Sequence, residues 1–137
     1  MSERSVEQTL GDEMKLRSIG RIHRTDGEQV EIEVCDKYRD GLEGIEAGQH
    51  IQVLWWMDRL EEPDRRTLKV HPRGEESRPL RGVFALRSPM RPNPVGVSVV
   101  RVVEVNGTRL TVTGFDALDS SPVIDVKCCP PEMSETE

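Results

Sequence analysis

The sequence is poor in the residues from which most metal and cofactor sites are built. Among 137 residues there are 3 cysteines and 3 histidines. Cys35 stands alone while Cys128 and Cys129 are adjacent, a poor basis for a disulfide framework, and a reducing compartment fits. His23, His50 and His71 are scattered without ligand spacing, and neighbouring cysteines point to opposite faces of a strand, so no metal is expected. There is no G-x-G-x-x-G after a strand, no G-x-x-x-x-G-K-[ST], no H-E-x-x-H and no C-x-x-C. Those absences argue against a Rossmann-type dinucleotide or methyl-donor site. No apolar run approaches the ~20 residues that span a bilayer, and the opening M-S-E-R-S-V-E-Q-T lacks an apolar signal segment. No membrane association and a cytoplasmic location are expected.

Aromatic residues are also scarce, with 2 Trp, 1 Tyr and 2 Phe, so the core has to be built from Val, Ile and Leu. The length suits one domain: an arm over 1–14, a folded unit over 15–129 and an acidic tail over 130–137. The net charge of -6 hides an asymmetry. Residues 1–58 carry 7 Lys and Arg against 13 Asp and Glu, residues 59–101 carry 10 against 5, and residues 102–137 carry 2 against 7. The basic middle third fits either a local anion-binding face or a solvated surface of mixed charge.

Short strands and turns dominate. Leu16, Ile19 and Ile22 mark a first strand with Gly20 as a bulge or a point of close approach. After a turn at Thr25 to Glu28, Val30, Ile32 and Val34 alternate with Glu31 and Glu33, the two-residue period of a half-buried strand. Tyr38 to Glu46 is too rich in glycine for a long helix. His50 to Trp56 is an apolar strand, Asp58 to Arg66 a charged loop, Thr67 to Val70 a short strand and Leu80 to Leu86 another. Val97 to Val105 and the following T-R-L-T-V-T, separated by Asn106-Gly107, predict a hairpin with a type I′ turn. Val123 to Lys127 alternates again. The pattern predicts an all-β fold, a small closed or partly open β-barrel of mostly antiparallel strands, or a sandwich.

Two turn-rich segments carry the chemistry. In Arg81 to Gly96, Pro89, Pro92 and Pro94 preorganise a loop that presents Arg87 and Arg91. Phe115 to Pro122 supplies Asp116 and Asp119. Guanidinium forks and carboxylates suit a small zwitterionic ligand with a ribose and a purine, and they equally suit an Arg–Asp clamp inside the domain.

At these segments the chain resembles a known family. G-V-F-A-L-R-S-P-M-R-P-N-P-V-G-V-S-V-V, D-A-L-D-S-S-P-V-I-D-V-K, V-H-P-R-G and S-I-G-R-I-H are similar to the blocks of the TsaA-like (YaeB-like) family, from about Leu16 to Lys127. Characterised members of that family methylate N6 of threonylcarbamoyladenosine in tRNA with S-adenosylmethionine. The resemblance implies a small β-barrel, a homodimer and an S-adenosylmethionine site. By position, Arg87 would contact the cofactor, Arg91 and Asn93 would shape its pocket, and Val97 would pack on it. Asp116, Ala117, Leu118 and Asp119 would form the other wall, and Met57 and Asp58 a further lining. Asp58, Asp116 and Asp119 are the candidate proton acceptors. The chain departs from the family at Leu86, Asp58 and Cys128-Cys129. The V-P-R-Q-type loop between the first two strands is missing, and the family's C-terminal domain is expected to be absent. Three functions follow from the resemblance: methylation of a modified adenosine in tRNA, methylation of a small molecule, or non-catalytic S-adenosylmethionine binding.

Overall fold

A computed structural model describes residues 10–25 and 27–130. Asp26, most of the expected arm and most of the acidic tail lie outside the described residues. Six strands close a barrel: β1 (Gly20–Arg24), β2 (Gln29–Val34), β3 (His50–Trp56), β6 (Val95–Asn106), β7 (Arg109–Thr113) and β8 (Pro122–Cys128). Their order around the barrel is β1-β2-β7-β6-β3-β8, and every pairing is antiparallel. A separate two-stranded ribbon joins β4 (Lys69–Val70) to β5 (Arg81–Gly82).

The alternation in β2 decides its two faces. Val30 and Ile32 are fully buried and meet Ile22, Ile51, Val53, Val102, Leu110 and Val112 in an aliphatic core. Glu31 and Glu33 face outward, where Arg109 reaches both, at 2.8 and 3.8 Å. His23 also hydrogen-bonds Glu33 at 2.8 Å. The His23 hydrogen bond and then the Arg109 charge hold the Glu33 carboxyl below the usual carboxylate range. Closure of the barrel leaves no open edge among these six strands.

Several expected elements differ. The first strand starts at Gly20, and Leu16 is 60% exposed. Gly20 is a point of close approach: its register with Val34 is regular, and a Cβ would stand 2.3 Å from the Glu33 carbonyl oxygen. The ladder irregularities fall elsewhere, at Leu54/Trp55 between β3 and β8 and at Val102/Glu104 between β6 and β7. The charged loop contains one helical turn, α1 (Glu62–Arg65), in which Pro63 occupies the first turn, where it is tolerated, and Asp64 accepts from the Glu61 N–H at 3.1 Å. The strand expected over Leu80 to Leu86 shrinks to β5, and Val83–Ala85 forms a 3₁₀ turn. Only Val83 of that turn is buried, while Phe84 is 79% exposed, so no core-facing alternation holds it extended. The predicted hairpin forms, but its turn is not type I′. Only Gly107 of the two central residues has positive φ, 64°, whereas type I′ needs two.

Candidate functional site

Both turn-rich segments leave the same end of the barrel. Trp56 at the end of β3 pairs with Val95 at the start of β6, and β7 ends at Thr113. Residues 83–94 and 114–121 are therefore neighbours although the 19 residues of the β6–β7 hairpin, 95–113, separate them. Between them lies a cleft of about 310 Å³ lined by residues including Met57, Arg87, Arg91, Val97, Ser98 and Asp116. Its floor is Trp55, packed edge-on to Phe115 with ring centroids 6.2 Å apart. Gly96 admits that indole, because a Cβ there would lie 2.4 Å from Trp55 Cε2.

The first wall is held by Arg91. Its Nε donates to the Ser88 carbonyl at 2.7 Å, and its Nη2 donates to the carbonyls of Val83 and Leu86, both at 2.7 Å. A planar fork is suited to this task, which a single ammonium cannot perform. Proline explains why the loop needs it: three missing N–H groups leave the segment with few bonds of its own. Arg65 of α1 adds a fourth anchor, donating from Nε to the Pro92 carbonyl at 2.9 Å while its guanidinium lies 5.3 Å from the Trp56 ring centroid.

Arg87, four residues earlier, is nearly free. Among the described residues its one side-chain hydrogen bond is a long one, Nη2 to the Val97 carbonyl at 3.5 Å, and the side chain is exposed. It is the guanidinium available to a ligand.

The second wall is held by Arg24, at the end of β1. Its Nε donates to the Ala117 carbonyl at 2.8 Å, its Nη2 donates to the Phe115 carbonyl, and its backbone N–H donates to Asp119 Oδ1 at 2.8 Å. That backbone bond is the main reason the Asp119 carboxyl titrates below the usual range. Ser120 Oγ donates to Asp119 Oδ2 at 3.3 Å, so both oxygens of Asp119 are engaged. Asp116 is held differently. Ser98 Oγ accepts from Trp55 Nε1 at 3.1 Å and donates to Asp116 Oδ1 at 3.0 Å.

Of the residues singled out in the sequence, the fold brings Met57, Arg87, Arg91, Val97 and Asp116 to one cleft. Asp58 and Asn93 are exposed outside its lining. Ala117 is 1% exposed and belongs to the core, Leu118 is 51% exposed, and Asp119 serves the β1 end. Sequence reasoning overlooked Ser98, Arg24 and Arg65. Ser98 left a faint signal as the polar residue inside V-G-V-S-V-V. Arg24 left none, since its partners lie more than ninety residues away. A larger cleft, about 550 Å³, opens at the opposite end between Gly41, Gly48, His50, Lys127 and Cys128. No arginine lines it, so it lacks the planar anion-binding fork of the first cleft. Among the described residues no cluster of His, Cys, Asp and Glu could hold a metal, and no helix is long and apolar enough to cross a membrane.

Residues 21–134 match the family described as tRNA-methyltransferase O N-terminal domain. An S-adenosyl-L-methionine-binding protein of Archaeoglobus fulgidus is 52% identical over 103 residues, covering 75% of this chain and 70% of that protein. A probable S-adenosyl-L-methionine-binding protein of Methanocaldococcus jannaschii is 38% identical over 113 residues, covering 82% of this chain and 89% of that protein. The crystal structure of TrmO from Pseudomonas aeruginosa aligns with a TM-score of 0.68 at 26% identity, over 89% of this chain and 58% of that one. The chain thus spans less than two thirds of the solved TrmO protein.

Proposed function

We propose a function from the premise that this chain belongs to the tRNA-methyltransferase O N-terminal domain family: it is an S-adenosylmethionine-dependent methyltransferase whose cofactor binds in the Trp55 end of the barrel. The observation that carries this reading is the pairing, in one cleft, of the underused guanidinium of Arg87 with the anchored carboxylate of Asp116 above an aromatic and aliphatic floor. S-adenosylmethionine has a carboxylate for a guanidinium and a purine for an apolar surface, and the carboxylate of Asp116 remains for the methyl acceptor. The residues fit the group, and the cleft falls within the size range of small-ligand sites, about 300 to 1,000 Å³. Bound there, the cofactor supplies an electrophilic methyl group. Arg87 would hold its carboxylate, Met57 and Val97 would exclude water, and Arg91 would keep the wall in place. Ala117 would contribute through its backbone, Asp58, Asn93 and Leu118 would meet the ligand at the rim, and Asp119, its carboxylate engaged by Arg24 and Ser120, would hold that wall in place.

The acceptor in this reading is an exocyclic amine of a modified adenosine in tRNA, and the protein works in the cytoplasm as a homodimer built on residues 15–129. Support for the dimer comes from Leu68 and Leu80, which immediately precede β4 and β5, and from Phe84 in the turn after β5, 58%, 55% and 79% exposed. Support for RNA comes from the 10 Lys and Arg of residues 59–101. A second reading, S-adenosylmethionine binding without methyl transfer, is favoured by the descriptions of the relatives from A. fulgidus and M. jannaschii as binding proteins.

Calorimetric titration with S-adenosylmethionine tests the cofactor site. The wild-type chain is expected to bind saturably, and Arg87→Ala to bind at least about tenfold more weakly, the loss of one charge-assisted hydrogen bond. No saturable heat in the wild type would sink the reading.

A further inference from the structure

We infer that Asp116 is the group that takes the proton released when the acceptor nitrogen is methylated, and that Ser98 and Trp55 are its positioning residues. This rests on the methyltransferase reading. The assignment comes from donor and acceptor arithmetic. An indole N–H can only donate and an ionised carboxylate can only accept, so a hydroxyl bonded to both has one orientation. Trp55 Nε1–H donates to Ser98 Oγ at 3.1 Å, and Ser98 spends its single proton on Asp116 Oδ1 at 3.0 Å. The relay is rooted in the barrel, because Trp55 is 9% exposed and its indole is wedged against Gly96. Asp116 itself lies past the end of β7, and among the described residues no other hydrogen bond or ion pair engages its carboxylate. Oδ2 is left for a ligand.

The competing carboxylates do not have this arrangement. Both oxygens of Asp119 are engaged, by the Arg24 N–H and by Ser120 Oγ, and Asp58 lies outside the cleft lining. The charged side chains that share the cleft with Asp116 are Arg87 and Arg91, and Arg91 is committed to three carbonyls. In the step itself the acceptor nitrogen's lone pair forms the new bond to the methyl carbon, the carbon–sulfur electron pair stays on sulfur as a thioether, and the nitrogen's proton passes to Asp116 Oδ2 and on to water. An amine that has gained a methyl group and a positive charge is a strong acid if its nitrogen is conjugated, so a carboxylate within reach suffices to take its proton.

The full-length chain is titrated with S-adenosylmethionine and then assayed for transfer of labelled methyl to bulk tRNA. Asp116→Asn is expected to keep its cofactor affinity and to lose about 100-fold or more in transfer rate at saturating cofactor. Ser98→Ala should lose less, and Ser98→Thr should restore the rate. In the ligand-free protein the Trp55 indole N–H resonance should move in Asp116→Asn and should stay still when the same substitution is made on Ser98→Ala. Unchanged transfer in Asp116→Asn, or loss of cofactor affinity with it, overturns the proton-acceptor role. An indole resonance indifferent to the substitution at Asp116 overturns the relay. A wild-type chain that binds cofactor and transfers no methyl to RNA overturns the proposed function, a result distinct from either.

Discussion

The two walls of the cleft are each stapled by one arginine that donates to backbone carbonyls, yet the two staples are built on different scales. Arg91 lies inside the loop it holds, and its three partners are three to eight residues away. Arg24 comes from the other side of the barrel closure and reaches carbonyls 91 and 93 residues distant. The local staple preorganises a loop whose prolines have removed its own donors. The distant staple ties the segment carrying Asp116 to the strand that closes the barrel, so it should report on the integrity of the whole fold.

Arg24→Ala is the most damaging way to break this contrast. It removes two side-chain bonds between β1 and the second wall, and we expect a loss of about 2 kcal/mol in global stability, seen as a lower urea midpoint at unchanged slope. A variant as stable as the wild type would show that the second wall does not depend on β1. Arg91→Lys should do the reverse. A lysine keeps the charge but cannot span three carbonyls, so S-adenosylmethionine affinity should fall about tenfold, ~1.4 kcal/mol, while the urea midpoint barely moves. Equal effects of the two variants on stability would erase the distinction between them.

The smallest effect concerns pH. Asp119 titrates below the usual carboxylate range in the folded protein because it accepts the Arg24 N–H. Its folded value is thus below its unfolded one, so its contribution is complete above the unfolded value and disappears as the pH falls through the depressed value. Asp119→Asn should lower stability at neutral pH, where that contribution is complete, and flatten the acid limb, so that variant and wild type converge as the pH falls through the depressed value. A parallel curve for wild type and variant would remove Asp119 from the acid response.

Much of the barrel was legible because its signals are local. The alternation of Val30, Ile32 and Val34 with two glutamates, the apolar His50 to Trp56 and the Asn106-Gly107 hairpin each occupy a few residues, and a two-residue period allows only one burial pattern. The failures were also local in origin. Leu80 to Leu86 looked like a strand from composition, but the ribbon partner is only two residues long and offers no further ladder to pair with. Asp58 to Arg66 read as a charged loop, although the first turn of a helix accepts a proline such as Pro63. Asp58, Asp116 and Asp119 could not be ranked, because a carboxylate's role depends on which of its oxygens are already occupied.

The sequence alone determined the class of fold and the two segments that meet at the site, since strand periodicity, proline restraint and turn residues act over a few positions of chain. The tertiary structure decided which polar groups remain available. Arg91 and Asp119 are spent on carbonyls and N–H groups, whereas Arg87 and Asp116 keep capacity for a ligand, and that difference arises only when barrel closure brings Arg24, Trp55 and Ser98 to residues 115–119. A donor or acceptor satisfied by a partner far along the chain looks identical, in sequence, to one left free.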